Sequence, residues 1–237
     1  MTLSSILPQI ADAERSCGRR SGSVTVVAVS KLQPLDRVQA ALAAGHREFG
    51  ENYVKEAAEK WPLLRAKYPD TRLHLIGPLQ SNKAKAAVGL FDAIHSIDRI
   101  SLAVALAKSV QASGTCPQLF VQINTGGEPQ KAGIASGAAD QFIAECQRLD
   151  LRVLGLMCIP PSGQEPIPHF QMLADIAARN GLYGLSMGMS GDFKAAISLG
   201  ATHVRIGSAV LENAVRKSLR SKCRAQLEQW HKIQDAK

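Results

Sequence analysis

The sequence predicts an α/β protein built as a single closed (β/α)₈ barrel with one extra helix in front of it, spanning residues 1–237 as one domain. Three observations predict this. Apolar, β-rich runs alternate eight times with amphipathic helical patterns, which is the signature of a parallel sheet. Several runs, such as VTVVAV and VLGLM, are apolar without alternation, as expected of strands covered on both faces. The 237 residues also suit one such barrel, commonly about 200–250 residues long. An open doubly wound sheet is the competing architecture; the strand count favours the barrel.

The elements follow in order. The segment MTLSSILPQIADAERSCGRR has no basic start followed by an apolar block, so it reads as an ordinary first helix rather than a secretory signal. Candidate strands are Val24–Val29, Glu48–Gly50, Arg72–Ile76, Ala93–Ser96, Leu119–Ile123, Val153–Ile159, Tyr183–Ser186 and Val204–Ile206. The second is short. Helical patterns fill the gaps at Leu35–Ala44, Val54–Lys67, Asn82–Val88, Ile100–Ala112, Ala138–Leu149, Pro166–Asn180, Asp192–Leu199 and Val210–Gln229. The Gly/Pro-rich stretch Pro160–Pro168 follows a strand and reads as a barrel-top loop, not a linker.

Composition narrows the classes of function. Hydrophobic residues make up 46% and charged ones 20%, which suits a large core and excludes general disorder. No apolar run approaches the roughly 18 residues of a membrane span. The net charge is +8, but half of it comes from the segment after residue 211, so the body is only mildly basic. That balance fits a small anionic ligand. The basic run Arg216, Lys217, Arg220, Lys222, Arg224 has no interleaved aromatics, which argues against nucleic acid and for a solvated helix face. Five widely spaced cysteines with no CxxC pair point to reduced thiols in a cytosol, and against disulfides or a zinc site.

In such a barrel chemistry sits where strands end and loops begin. Lys31 follows the first strand, with Pro34 closing the turn; an amine partly desolvated in the mouth loses proton affinity and can attack an aldehyde. A plain solvated loop lysine is the alternative. Glu51 and Asn52 follow the second strand after Gly50; Asn52 could instead cap the next helix. His74 can point into the barrel, either as a core residue or as a base, and Lys83 reads as a solvated helix residue. The loop Asn124–Glu128 is glycine-rich but lacks the pattern of a nucleoside-triphosphate loop. Met157 and Cys158 read as packing. Ser186, Ser190, Gly207, Ser208 and Arg205 cluster after strands seven and eight, where this architecture commonly holds a phosphate; Ser190 and Ser208 could alternatively be helix caps. An imine-forming lysine facing a phosphate cradle fits pyridoxal 5′-phosphate (PLP). An arginine by its ring nitrogen would keep the ring unprotonated, a poorer electron sink.

The blocks VAVSK, FGENYVKE, HLIGPLQSNK, IHSID, GLM and LSMGMSGDFKAAISLGATHVRIGSA resemble the pyridoxal-phosphate homeostasis protein family, whose fold is similar to the N-terminal barrel of alanine racemase. The resemblance runs from about Val24 to Val210. It implies PLP held as an imine on Lys31, Asn52 against the ring, Ser186, Ser190, Gly207 and Ser208 on the phosphate, and Arg205 at the ring nitrogen. It also implies a cytoplasmic carrier or regulator of vitamin B6 without robust turnover, with PLP-dependent apo-enzymes as possible recipients. Alanine racemases add a C-terminal domain that supplies a second base and work as dimers. This chain ends soon after its eighth strand, so a monomer is expected and two-base proton transfer would lack a partner. The enzymatic alternative, a PLP-dependent racemase or related carbanion-forming catalyst, would have to find that base in His74 or Tyr53. Two departures stand out: Val210-Leu211-Glu212-Asn213 where many relatives have an aromatic–glycine pair, and the unusually basic last helix.

Overall fold

The computed structural model describes residues 3–207. Eight parallel strands form its centre: β1 (Thr25–Val29), β2 (Glu48–Glu51), β3 (Arg72–Leu75), β4 (Ala93–Ile97), β5 (Gln118–Asn124), β6 (Val153–Cys158), β7 (Gly184–Met189) and β8 (His203–Ile206). Each pairs with the next, and β8 pairs with β1 from Thr25↔His203 to Ala28↔Ile206, so the sheet closes. The open-sheet alternative is thereby excluded. A two-residue strand, Ile134–Ala135, adds to the end of β5 outside the barrel order and was not anticipated.

The helices are α1 (Leu3–Ser16), α2 (Leu35–Ala43), α3 (Val54–Lys67), α4 (Ala84–Leu90), α5 (Ile100–Ser113), α6 (Ala139–Arg148), α7 (Ile167–Arg179) and α8 (Phe193–Ser198). Their boundaries lie close to those expected, except that the Asn82–Val88 pattern resolves into a 3₁₀ turn, Ser81–Lys83, followed by α4. The outward faces of the strands and the inward stripes of the helices share one apolar layer, with Leu42, Phe49, Trp61, Leu73, Ile94, Leu102, Phe170 and Ile197 all fully buried. Burial on that scale stabilises by about 25 cal/mol per Å² of apolar surface. Helix α1 joins this shell through Leu3, Ile6 and Ile10. The buried Glu14 carboxylate accepts hydrogen bonds from the Gly22 and Val24 amides and the Ser23 hydroxyl, which fixes α1 at the entry to β1.

The barrel interior differs from this shell. Val27, Phe120 and Met157 fill it, and with them sit polar side chains that face inward from six strands: Glu48, His74, His95, Gln122, Ser186, His203 and Arg205.

Candidate functional site

The residues singled out by sequence sit at the C-terminal ends of β1, β2, β7 and β8. In the strand order these are neighbours, β2–β1–β8–β7, so they occupy one contiguous arc of the mouth. On β1, Val27 faces inward: a Cβ built on Gly50 of β2 would lie 2.8 Å from Val27 Cγ1. Lys31 follows two residues after Val29, in the turn at the C-terminal end of β1. Lys31 is exposed, so the partial desolvation expected from sequence is absent. Its amine gains accessibility instead.

A buried ionic cluster behind the sheet fixes the turn that carries Lys31. The Glu51 carboxylate is fully buried, and its Oε1 accepts from Ser30 Oγ (2.8 Å), Lys60 Nζ (3.0 Å) and Trp61 Nε1 (2.9 Å). Lys60 also donates to the Ser30 carbonyl (2.9 Å) and to Glu56 Oε1 (2.8 Å). Glu56 Oε1 in turn accepts the Leu32 amide at 2.7 Å. Leu32 has φ +55°, a left-handed conformation costly for a residue with a branched side chain. Both residues flanking Lys31 are therefore held by α3. This gives Glu51 a role the sequence did not reveal, since it faces away from the mouth.

Asn52 lies in the β2–α3 loop and is half-buried. The cap of α3 is Tyr53, with no side-chain cap bond, so the capping explanation for Asn52 fails. A Cβ on Gly77 would come within 2.5 Å of the Asn52 carbonyl oxygen. Only glycine allows the β3 loop to close on Asn52, which ties the IGPLQSNK and GEN blocks together.

Across the arc, β7 bends at Gly188 just before its end, where a φ of +92° suits glycine and the register with β8 shifts. Ser190 Oγ accepts the Gly207 amide (3.3 Å), joining the loops after β7 and β8. The cap of α8 is Asp192, so Ser190 is not a helix cap either. Among the described residues, a Cβ on Gly191 would meet nothing within 4 Å, and one on Gly207 only Ser190 Oγ at 3.9 Å. Ser208 lies outside the described residues, as do the cysteine at 223 and the basic last helix.

Arg205 is 4% exposed, and burial lowers its pKa from the usual guanidinium value, opposed by Cys158 and Asp192. It donates to the Ser186 carbonyl (2.7 Å), Ser186 Oγ (2.8 Å) and the Cys158 carbonyl (2.8 Å). Its acceptors thus lie inside the barrel, where an unpaired guanidinium would be costly. Ser186 is fully buried, and its hydroxyl also meets His95 Nδ1 at 2.8 Å. It stands beside the guanidinium rather than on the rim with Ser190. His95 Nε2 lies 3.0 Å from His74 Nδ1, and His74 Nε2 lies 2.6 Å from Glu48 Oε2. Both ring nitrogens of His74 are occupied, and its ring is buried, which removes it from the mouth as a base. Tyr53 is exposed.

Phe120 stacks on His95 at 4.3 Å, and His203 meets the His74, His95 and Phe120 rings edge-on. Burial first, then the positive potential of His74, His203 and Arg205 on the His95 cation, hold His95 well below its usual pKa; burial first, then His74, pushes His203 down to about 3. Burial raises the Glu48 carboxyl, but the His74 bond with His74, Arg72 and His203 nearby outweighs it and keeps the group below its usual value. Sequence reading missed His95, His203 and Glu48. The available signal was parity: each falls on the inward side of its strand. Asn124 is spent on its own loop, donating to the Glu128 carbonyl at 2.8 Å, and Lys131 pairs with Glu128. Among the described residues four cysteines are free, no acidic, histidine and cysteine cluster suits a metal, and no helix is long and apolar enough to cross a membrane.

Comparison with known proteins places this geometry. Residues 7–212 match the family model for the alanine racemase N-terminal domain. The pyridoxal phosphate homeostasis protein of Vibrio cholerae is 39% identical over 216 residues, 86% of this chain and 92% of that one. Among solved structures, PipY of Synechococcus elongatus, a COG0325 family member, superposes with a TM-score of 0.76 at 37% identity without PLP, and 0.73 at 36% with PLP bound. In both cases 86% of this chain and all of that one are covered.

Proposed function

This chain belongs to the pyridoxal phosphate homeostasis protein family, and we propose that it holds PLP at the mouth of its barrel, anchored covalently through Lys31, in intracellular vitamin B6 homeostasis. The observation that carries this reading is the contiguous arc: an accessible amine, an amide side chain, a buried guanidinium and a glycine- and serine-lined pair of loops on four adjacent strands. The chemistry of this donor set fits the cofactor, and among the described residues the backbone at Gly191 and Gly207 is uncrowded on its Cβ side, as a phosphate would need. Bound there, PLP supplies an aldehyde for the lysine and an electron-accepting ring.

This chain's residues divide the work. Lys31 presents its amine from a turn that Glu51, Glu56 and Lys60 hold fixed. Asn52 supports the ring face. Ser190 and Gly207, whose hydroxyl and amide meet at 3.3 Å, bind the phosphate, with Ser208 beyond the described residues. Arg205 faces the ring nitrogen and, as a cation, disfavours protonation there. Ser186 holds Arg205. An exposed lysine and an unprotonated ring suit reversible holding better than carbanion chemistry, so we read the protein as a PLP carrier or regulator without robust turnover, a cytoplasmic monomer able to supply PLP-dependent apo-enzymes.

The test is a spectrum of the protein incubated with PLP before and after borohydride, followed by peptide mapping. The expected result is a visible band that borohydride bleaches, with the label on Lys31. A label elsewhere, or the same reducible band in Lys31→Ala, overturns the assignment.

A further inference from the structure

We propose that Glu48, His74, His95 and Ser186 are positioning residues for Arg205, acting as one directional hydrogen-bond chain that turns the lone pairs of the Ser186 hydroxyl toward the guanidinium. The chain crosses the barrel interior through side chains of β2, β3, β4, β7 and β8. His74, His95, Ser186 and Arg205 are at most 4% exposed, so water does not substitute for any of its bonds. Glu48, with its side chain 27% exposed, is the end that reaches solvent.

Counting protons sets the direction. The Glu48 carboxylate only accepts, so His74 carries its hydrogen on Nε2 and donates at 2.6 Å. A singly protonated His74 then offers Nδ1 as an acceptor, which requires His95 to donate from Nε2 at 3.0 Å. His95 Nδ1 is left as an acceptor, and among the described residues the hydrogen that reaches it is that of Ser186 Oγ, at 2.8 Å. With its proton committed to His95, Ser186 Oγ can only accept from Arg205 Nη1, at 2.8 Å. With a singly protonated His74 the reverse tautomers put two lone pairs face to face, either between the rings or between His74 and the carboxylate, so the reverse direction requires a doubly protonated His74, which the spectra below distinguish. Buried chains of this kind are cooperative, and a partly satisfied one is costly.

The groups around the chain are consistent with it. His203 faces the His74 and His95 rings, but its Nδ1 meets Thr202 Oγ1 at 2.9 Å, so it packs against the chain without joining it. Phe120 stacks on His95 and fixes its ring plane. Arg72 acts on Glu48 and His203 from β3, while Asp192 and Cys158 act on Arg205 from the mouth side. The ligand-side consequence rests on the reading that Arg205 meets the PLP ring; the chain itself does not.

The experiment uses full-length protein labelled with ¹⁵N-histidine and free of PLP, with long-range ¹H–¹⁵N spectra at neutral pH reporting the tautomer of each ring. The expected result is the Nε2–H form for both His74 and His95. Glu48→Gln should preserve it, because the amide carbonyl still accepts, while Glu48→Ala should give mixed tautomers at His95. In the loaded protein Glu48→Ala should weaken PLP binding about tenfold, the scale of losing an outer partner of a site, and Glu48→Gln should restore it. An Nδ1–H form of His95 in the wild type overturns the chain, and that reading does not depend on any variant folding. So do wild-type tautomers in a folded Glu48→Ala protein. A wild type that takes up no PLP would instead overturn the functional reading and leave the tautomer result to judge the chain.

Discussion

The two sides of the mouth solve opposite problems. On the β1–β2 side the functional group, Lys31, is exposed, and the groups that hold it are ion pairs outside the sheet, between strand ends and α3. On the β7–β8 side the functional group, Arg205, is buried, and its partners lie inside the barrel. The difference follows from what each must do. An amine that forms and releases a covalent bond needs access, so only its backbone is fixed. A guanidinium that never reacts can be locked completely.

Breaking each side should therefore give different signatures. The largest effect is expected from Lys31→Ala, which should abolish the borohydride-reducible band with little change in Tm, because the side chain is exposed. Arg205→Ala should do the reverse: it leaves the buried Ser186 and Cys158 acceptors without donors, costing about 3 kcal/mol and about 10 °C of Tm, read by calorimetry. Acid should also attack the interior first. His203 is about 3 in the folded state against an ordinary 6.5. Between those values the unfolded chain binds the proton and the folded chain does not, so stability falls as pH falls through that window. The slope is about 1.4 kcal/mol per pH unit for each such proton, and the lowered His95 and Glu48 act in the same direction. His203→Phe should flatten the profile of Tm against pH. Glu56→Ala should cost only about 1 kcal/mol; the sharper readout is hydrogen exchange, where the Leu32 amide should lose protection while the Arg205 side of the mouth keeps it. Ser190→Ala should be smallest, weakening PLP by about threefold through one lost hydroxyl.

Most of the frame was legible because parallel strands buried on both faces write themselves as VTVVAV or VLGLM, and eight such runs in 237 residues leave few architectures. The residues of the mouth could be picked out because strand ends carry them: Lys31, Asn52 and Ser190 each follow a strand and Arg205 lies near the end of the last one, though only closure of the ring makes those strands adjacent. What sequence did not disclose depends on closure. Glu51 reads as a mouth residue until the strand's alternation is known, and it turns its carboxylate to Lys60 and Trp61 instead. Ser186 reads as one more rim serine, yet it belongs to Arg205. His74, His95 and His203, each alone in an apolar strand, look like isolated core residues. Only the ring of strands brings the three imidazoles within 6 Å of one another.

The seam between β1 and β8 joins the first strand of the barrel to its last. Lys31 enters just after one edge of that seam and Arg205 lies on the other, so a growing polypeptide cannot assemble the pair until almost the whole described chain has emerged and the ring has shut. Vitamin uptake would then report a finished molecule: ligand clamped across the join selects the completed form over every partly made one, and its occupancy adds directly to the work needed to pull the seam apart.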